Sequence, residues 1–233
     1  MALLVSLPLV ALALLTVWLQ DGANPFYVAE RVGVGGRRFW LLKIRTMVPN
    51  AADSAVDTTV AGDPRVTVAG RWIRAGKLDE LPQFLHVLTG RMSLVGPRPN
   101  VPREVALYTA EEQRLLSVRP GITDLASVVF ADLAETLQGA HDPNIAYNQL
   151  VRPWKNRLAL WYLGQASAKL DLLTIFYTLT VSTSRRWTLQ RISNLLRERG
   201  AEAELCRFVL REDPLRPMPP PGTSRIVTTR SPR

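Results

Sequence analysis

The sequence predicts an α+β fold that is mostly helical. A membrane-associated helix opens the chain, a small β-hairpin follows, and a compact helical domain comes after it. Three observations carry this. Residues 1–20 hold no charged side chain, and about 20 residues of helix span about 30 Å, the thickness of the hydrocarbon layer. Residues 25–47 place short apolar runs on either side of Gly33, Gly35 and Gly36, the pattern of two strands and a turn. Apolar residues then recur at helical spacing, first at Leu81, Phe84, Leu85 and Leu88, later at Leu172, Leu173, Ile175, Phe176 and Leu179.

Composition narrows the partners. The chain has 233 residues, enough for one ordinary core, and a net charge of +9 with 47% hydrophobic residues. Such a balance predicts an acidic partner: nucleic acid, an anionic membrane surface or a phosphorylated substrate. Nucleic acid leaves the uncharged N-terminal run and the acidic pair described below unexplained. The single Cys206 excludes an internal disulfide and a multi-cysteine zinc site.

Residues 1–20 lack the basic n-region of a signal peptide. A spanning anchor fits the length. A kinked helix that enters and leaves on one face fits Ser6-Leu7-Pro8, because a proline breaks the hydrogen-bond ladder and a nearby serine can re-satisfy it. The run before Pro8 is short, which fits a start further upstream or a shorter anchor. Arg31, Arg37, Arg38, Lys43 and Arg45 follow. By the positive-inside rule this side is cytoplasmic.

In the hairpin, Phe26-Tyr27-Val28 forms the first strand and Phe39 to Ile44 the return strand. The glycines between them read as a turn and not a phosphate loop, since no helix follows at once. Lys43 and Arg45 alternate on one strand face, where they line a phosphate site or face solvent. Residues 48–65 are a polar surface loop whose Asp53, Asp57 and Asp63 lack metal-ligand spacing.

The centre of the chain is Lys77-Leu78-Asp79-Glu80-Leu81-Pro82-Gln83, followed by Met92 to Pro99. The first part reads as a helix entrance. Asp79 is placed as N-cap, Pro82 in the first turn, and Gly90 as the residue that closes the helix. Two adjacent carboxylates then stand at the positive end of a helix dipole. Gly96-Pro97-Arg98-Pro99 is a stiff turn that fixes Arg98. Arg74 and Arg119 offer two more guanidiniums, whose planar forks suit phosphate. On spacing alone an acidic pair at a helix start is a cap. Together with the arginines it suggests metal-assisted chemistry on a phosphate ester.

Thr109-Ala110-Glu111-Glu112 reads as a capping box that opens a helix to about Leu116. His86 is expected as a packed or exposed side chain and not a ligand. Trp154, Trp161 and Tyr162, with Lys155, Arg157 and Lys169, lie beside the apolar stripe at 172–179. This suits an interfacial helix on a membrane or core packing, and the residues do not choose. From Arg185 a basic helix is expected to about Phe208. The Pro-, Arg- and Ser-rich residues after Asp213 read as disordered.

Arg45-Thr46-Met47, Asp63-Pro64-Arg65-Val66-Thr67, Leu78 to Gln83, Met92 to Pro99 and Arg119-Pro120-Gly121-Ile122-Thr123 occur in the order and spacing of one family. Over residues 1–183 the chain resembles the bacterial sugar transferases, the monotopic polyprenyl-phosphate phosphoglycosyl transferases. That resemblance implies a membrane helix at 1–22, re-entrant with its break at Ser6 and Pro8 or else spanning, and a cytosolic catalytic domain at 23–183 with interfacial amphipathic helices; it does not cover residues 184–233, the basic helix and Pro-rich tail read from composition.

The implied reaction moves a sugar-1-phosphate from a nucleotide diphosphate-sugar, a UDP-sugar, to a membrane polyprenyl phosphate. This is the initiating step of exopolysaccharide, O-antigen or glycoconjugate synthesis. Asp79 would be the nucleophile and Glu80 its catalytic partner. Mg²⁺, or Mn²⁺ in its place, would sit at Asp79 and Glu80. Arg74, Arg98, Arg119, Lys43 and Arg45 would bind phosphate. The implied partners are membrane lipids and no nucleic acid, and the place is the cytoplasmic face of a bacterial inner membrane. The alternative is an inactive membrane scaffold of the same fold. The chain departs from the family at Lys77, Asp124, Ser127 and Ala159, where the family favours Ser, Gly, Gln and an acidic residue.

Overall fold

The computed structural model describes residues 2–51 and 58–229, without the side chains of residues 2–6. Asp53 and Asp57, and the side chain of Ser6, lie outside the described residues.

The chain opens with α1, Ala2–Asp21. One side of it is buried: Ala13 and Val17 pack with Ile44 and Ile73, and Val10, Leu14 and Leu78 border them. The other side is apolar and open, with Leu12 63% and Leu19 68% exposed. The expected break is absent, because α1 continues through Pro8. Pro8 lies in the second turn, where its missing N–H costs a single intrahelical bond. Among the described residues no helix is long and apolar enough to cross a membrane, against the spanning form expected of residues 1–22.

The hairpin is present and longer than expected, with β1 at Phe26–Val32 antiparallel to β2 at Arg38–Ile44. Gly35 and Gly36 take positive φ in its turn. Next comes α2, Val68–Ala75, capped by the Thr67 hydroxyl. The expected α-helical entrance at Asp79 is instead a 3-10 helix, Leu78–Gln83, whose cap is Lys77 in the left-handed region at φ 52°. Asp79 therefore lies inside the first turn. The helix α3, Phe84–Leu88, is short. Its apolar stripe does not face a core, since Leu85 and Leu88 are exposed. Gly90 closes this segment at φ 70°, as expected.

Then follow β3 (Ser93–Val95), α4 (Pro102–Val105), a 3-10 helix (Glu112–Ser117) where an α-helix was expected, and β4 (Gly121–Thr123). The strands β3 and β4 pair in parallel. The capping box is reciprocal: Thr109 N–H donates to Glu112 at 2.9 Å and Glu112 N–H to the Thr109 hydroxyl at 3.2 Å.

The rest is helical. It comprises α5 (Leu125–Val129), α6 (Leu133–Thr136), α7 (Pro143–Ala146), a π-helical turn (Tyr147–Val151), α8 (Arg152–Gln165), α9 (Ala168–Thr180), α10 (Arg185–Glu198) and α11 (Ala203–Phe208). The main core gathers Leu125, Val128, Leu158, Leu170, Ile192 and Leu196. Trp154 and Tyr162 belong to this core, with Trp154 stacked on Phe208 at 4.0 Å, while Leu172, Phe176 and Leu179 on α9 face outward.

The tail departs from expectation. The helices α10 and α11 complete the same core as α8 and α9, so residue 184 is no boundary. Residues past Asp213 form no helix or strand but lie on the body. Met218 N–H donates to the Gln149 carbonyl at 3.0 Å, and the Thr109 hydroxyl to the Pro221 carbonyl at 2.5 Å.

Candidate active site

Four side chains from three places meet at the end of the hairpin. Lys43 comes from β2, Asp79 and Glu80 from the 3-10 helix, and Arg98 from the turn after β3. The Lys43 ammonium is 2.9 Å from Glu80 and 4.0 Å from Asp79. Arg98 grips Glu80 through both terminal nitrogens, one of them at 3.3 Å, and also donates to the Ile122 carbonyl at 3.2 Å. Pro97 and Pro99 stiffen the backbone on either side of Arg98. The Asp124 carboxylate accepts the Arg98 N–H at 3.1 Å. The left-handed Lys77, a costly conformation for a side chain with a Cβ, sets the turn that presents the two carboxylates.

The neighbouring carboxyls are driven apart. Burial pushes Glu80 up, but the charges and hydrogen bonds of Arg98 and Lys43 outweigh it and hold Glu80 well below the ordinary range. Burial also pushes Asp79 up, and Glu80 adds to it. Lys43, Arg74 and Arg98 oppose this without reversing it. Burial likewise lowers Lys43, while the Glu80 charge raises it. Glu80 is thus a fixed anion, locked between two cations. Asp79 is the looser group: Lys43, 4.0 Å away, is beyond hydrogen-bond reach of it, and its pKa is raised. Such divergence within a pair separates a reacting group from a supporting one.

Arg74 stands at the end of α2. Its Nε donates to the buried Thr46 hydroxyl at 2.8 Å, and its charge acts on Asp79. Two expected phosphate ligands are not in this group. Arg45 ties down α1: its Nη atoms reach Asp21 at 2.6 and 2.7 Å and its Nε the Asn24 carbonyl at 2.7 Å. This holds Asp21 down at about 2. The Arg45 donors are thus taken up by Asp21 and by backbone carbonyls. The Arg119 side chain is exposed, although its backbone carbonyl lies against Gly96. His86 is packed, with Nε2 accepting the Leu42 N–H at 3.0 Å.

Sequence reasoning missed the part played by Asp124, noted only as a departure. It caps α5 through the Ser127 N–H and holds the Arg98 backbone. A cleft opens on the other side of Arg98, lined by Val32, Gly33, Asn100, Tyr108, Lys155 and Ala159.

The oxygen donors suit a hard divalent cation such as Mg²⁺, which takes one or two carboxylates and fills its shell with water and substrate phosphates. Among the described residues no three His, Cys, Asp or Glu side chains converge as a metal cage. A cation here would rest on Asp79, with Glu80 behind it, and on oxygens brought by a substrate.

The family model for bacterial sugar transferase matches residues 1–185. The chain belongs to that family. Among its relatives is the UDP-galactose-lipid carrier transferase of Erwinia amylovora, 33% identical over 78% of this chain and 38% of that protein. The UDP-glucose:undecaprenyl-phosphate glucose-1-phosphate transferase of Caulobacter vibrioides is 43% identical over 54% of this chain and 49% of its own length. The exopolysaccharide production protein ExoY of Sinorhizobium fredii is 41% identical over 54% of this chain and 62% of its own length. The chain thus spans less than two thirds of each of these relatives. As a bacterial sugar transferase it carries, inside the matched region, the whole Lys43, Asp79, Glu80 and Arg98 group.

Proposed function

We propose that this chain transfers a sugar-1-phosphate from a UDP-sugar to a polyprenyl phosphate, the opening step in building an exopolysaccharide or a related glycan. The observation that carries the reading is the Asp79–Glu80 pair: one carboxylate is locked between Lys43 and Arg98, and the other stands half-buried beside it with a raised pKa and its nearest ion-pair partner, Lys43, 4.0 Å away.

The chemistry follows from that division. An Asp79 oxygen attacks the β-phosphorus of the donor. The bond from that phosphorus to the bridging oxygen breaks, and the nucleoside monophosphate leaves with the electron pair. Asp79 then holds the sugar phosphate as an acyl phosphate. An oxygen of the polyprenyl phosphate attacks the same phosphorus, and Asp79 leaves as the free carboxylate. Splitting the transfer makes each displacement easier than a direct one. Lys43, Arg98 and Arg74 supply positive charge around the phosphoryl group as its negative charge spreads. A bound Mg²⁺, held by Asp79 and Glu80, would neutralise the diphosphate of the donor.

The acceptor is a lipid, and the exposed surface suits one. The open side of α1, Val68 and Trp72 on α2, and Leu85 and Leu88 on α3 are large apolar residues facing outward. Both α1 and α2 contact the segment that carries Asp79. In this reading these residues rest in one leaflet of the inner membrane, entered from the cytoplasmic face, where the basic hairpin meets anionic headgroups.

The test is release of nucleoside monophosphate from a panel of UDP-sugars, by detergent-solubilised protein with undecaprenyl phosphate and Mg²⁺, beside an Asp79→Asn control. Release that needs lipid and metal and vanishes in the control is expected. Absence of release with every donor, from folded protein, overturns the reading in favour of an inactive scaffold.

A further inference from the structure

Lys43 reaches the site from a strand with an uncovered edge. Among the described residues the hairpin sheet holds two strands, so β1 covers only one edge of β2. A backbone donor on the other edge needs a partner from elsewhere. The Leu42 N–H, next in the chain to Lys43, finds one in His86: it donates to Nε2 at 3.0 Å. His86 is buried on α3, and the Phe39 ring meets it edge-on with centroids 5.7 Å apart. The bond thus ties β2 to the helix that continues the Asp79 and Glu80 segment.

The same residue fastens the other side of the site. Its backbone carbonyl accepts the Arg91 N–H at 2.9 Å and the Met92 N–H at 3.0 Å. That turn leads into β3 and on to Arg98. His86 therefore joins the three segments that supply Lys43, the acidic pair and Arg98.

The Leu42 bond depends on the state of the ring. Nε2 accepts only while the imidazole is neutral, with its proton on Nδ1; a second proton makes both nitrogens donors. An Nε2–H would then face the Leu42 N–H, and that donor would lose its partner. The elements around the ring bring few charges. Arg38 and Lys43 lie on β2, and Asp79 and Glu80 on the 3-10 helix with Lys77 before it. Arg91 follows α3, and β3 carries no charged residue. Among the described residues no carboxylate pairs with the imidazole. Burial lowers it below the ordinary value of 6.5, and the Arg91 charge adds to this.

We propose that His86 is a positioning residue: its neutral imidazole holds the Leu42 backbone, and with it Lys43, against the segment that carries Asp79 and Glu80, and a proton taken from solvent at Nε2 releases that hold. This rests on the transfer reading only for its activity readout.

Wild type is compared with His86→Gln and His86→Phe in detergent, as the full chain. Gln offers an acceptor that does not titrate, and Phe offers none. Two quantities are followed from about pH 8 down to about pH 5, the range in which histidine titrates. One is kcat/KM for the UDP-sugar that wild type uses. The other is hydrogen exchange of residues 38–44 by mass spectrometry, corrected for the chemical rate. Wild type should lose activity through an ionisation additional to that of Asp79, and protection of 38–44 should fall with it. In His86→Gln the additional ionisation should vanish and protection should stay flat with pH. His86→Phe should lose about tenfold in kcat/KM and in protection at neutral pH, the worth of one hydrogen bond, and Gln should recover most of both. A wild-type pH dependence that His86→Gln shares in both quantities overturns the proposal. So does wild-type activity and protection in His86→Phe. If wild type turns over no donor, the transfer reading fails and exchange alone decides, by the same outcomes. If His86→Phe does not fold, wild type against His86→Gln carries the test.

Discussion

The Lys43 ammonium lies 4.0 Å from the Asp79 carboxylate, at the limit of ion pairing. The cation is spent on Glu80, at 2.9 Å. Asp79 is left half-buried without a close partner from Lys43, and its pKa is raised. Two consequences follow. A nucleophile must be ionised, so the acid limb of the kcat/KM profile should lie above the ordinary aspartate value of 3.8. Folded protein also binds the Asp79 proton more readily than the unfolded chain does. Stability therefore falls as pH rises from the ordinary value through the raised one, and the ionised carboxylate costs stability at neutral pH. Asp79→Asn should lose turnover by about a thousandfold or more while melting no lower than wild type at pH 7. Turnover profiles and thermal melts across pH check both. An acid limb at the ordinary value, or a less stable variant at neutral pH, would contradict this account of Asp79.

A second prediction concerns an ion pair that never meets water. Glu112 and Arg152 are both buried, with Arg152 Nε 3.0 Å from Glu112 Oε1. Asn156 donates to the same oxygen at 2.6 Å, and Arg152 donates to Asn148 at 3.0 Å. Removing one partner leaves a buried charge unpaired, which costs about 3–5 kcal/mol. Glu112→Gln should be destabilised by that amount in urea unfolding. Adding Arg152→Met should return most of the loss, because no charge is then stranded. A single-variant cost below about 1 kcal/mol, the range of an exposed pair, would argue against the pair being dry.

The elements legible in the sequence were those with a local signal. The hairpin shows itself through short apolar runs and glycines, the Thr109–Glu112 box through its spacing, and Gly90 through its place after an apolar run. What escaped was set by distant partners. Arg45 looked like a phosphate ligand because nothing near it in sequence reveals Asp21, 24 positions away. Periodicity at Leu85 and Leu88 reports a one-sided helix but not what that side faces. The composition past Asp213 suggests disorder, yet Pro221 meets Thr109 112 positions away. At the site, the Asp79–Glu80 pair and Arg98 were readable from the chain.

Gly121 is expected to be irreplaceable for a backbone reason. A Cβ there would fall into the amide and carbonyl of Gly96, two residues before Arg98. The two glycines let β3 and β4 pair closely enough for the Ile122 carbonyl to receive Arg98. Gly121→Ala should cost about 1–3 kcal/mol through overpacking. It should reduce turnover further, by moving Arg98 off Glu80. Gly164→Ala is the control, since a Cβ at Gly164 meets nothing within 4 Å and lies inside α8. That change should stabilise by about 0.5–1 kcal/mol. Equal melting temperatures for Gly121→Ala and wild type would show that the strands can separate freely.

The last prediction separates the two parts of the C-terminal region. Leu189, Ile192, Leu196, Leu205 and Val209 are all buried in the main core. At about 1.5–3 kcal/mol for each buried aliphatic side chain, they match the whole stability of a typical domain, about 5–15 kcal/mol. A chain ending at residue 184 should therefore fail to fold, although it retains nearly all of the region that matches the family. A chain ending at residue 213 keeps α10 and α11. It loses the bonds from Met218 to Gln149, from Thr109 to Pro221 and from Gln149 to Val227. It should stay soluble and melt cooperatively at a lower temperature. Size-exclusion chromatography and thermal melts in the same detergent distinguish the two. A soluble, cooperatively melting chain that ends at 184 would mean that the outer helices are an addition to the core and not part of it.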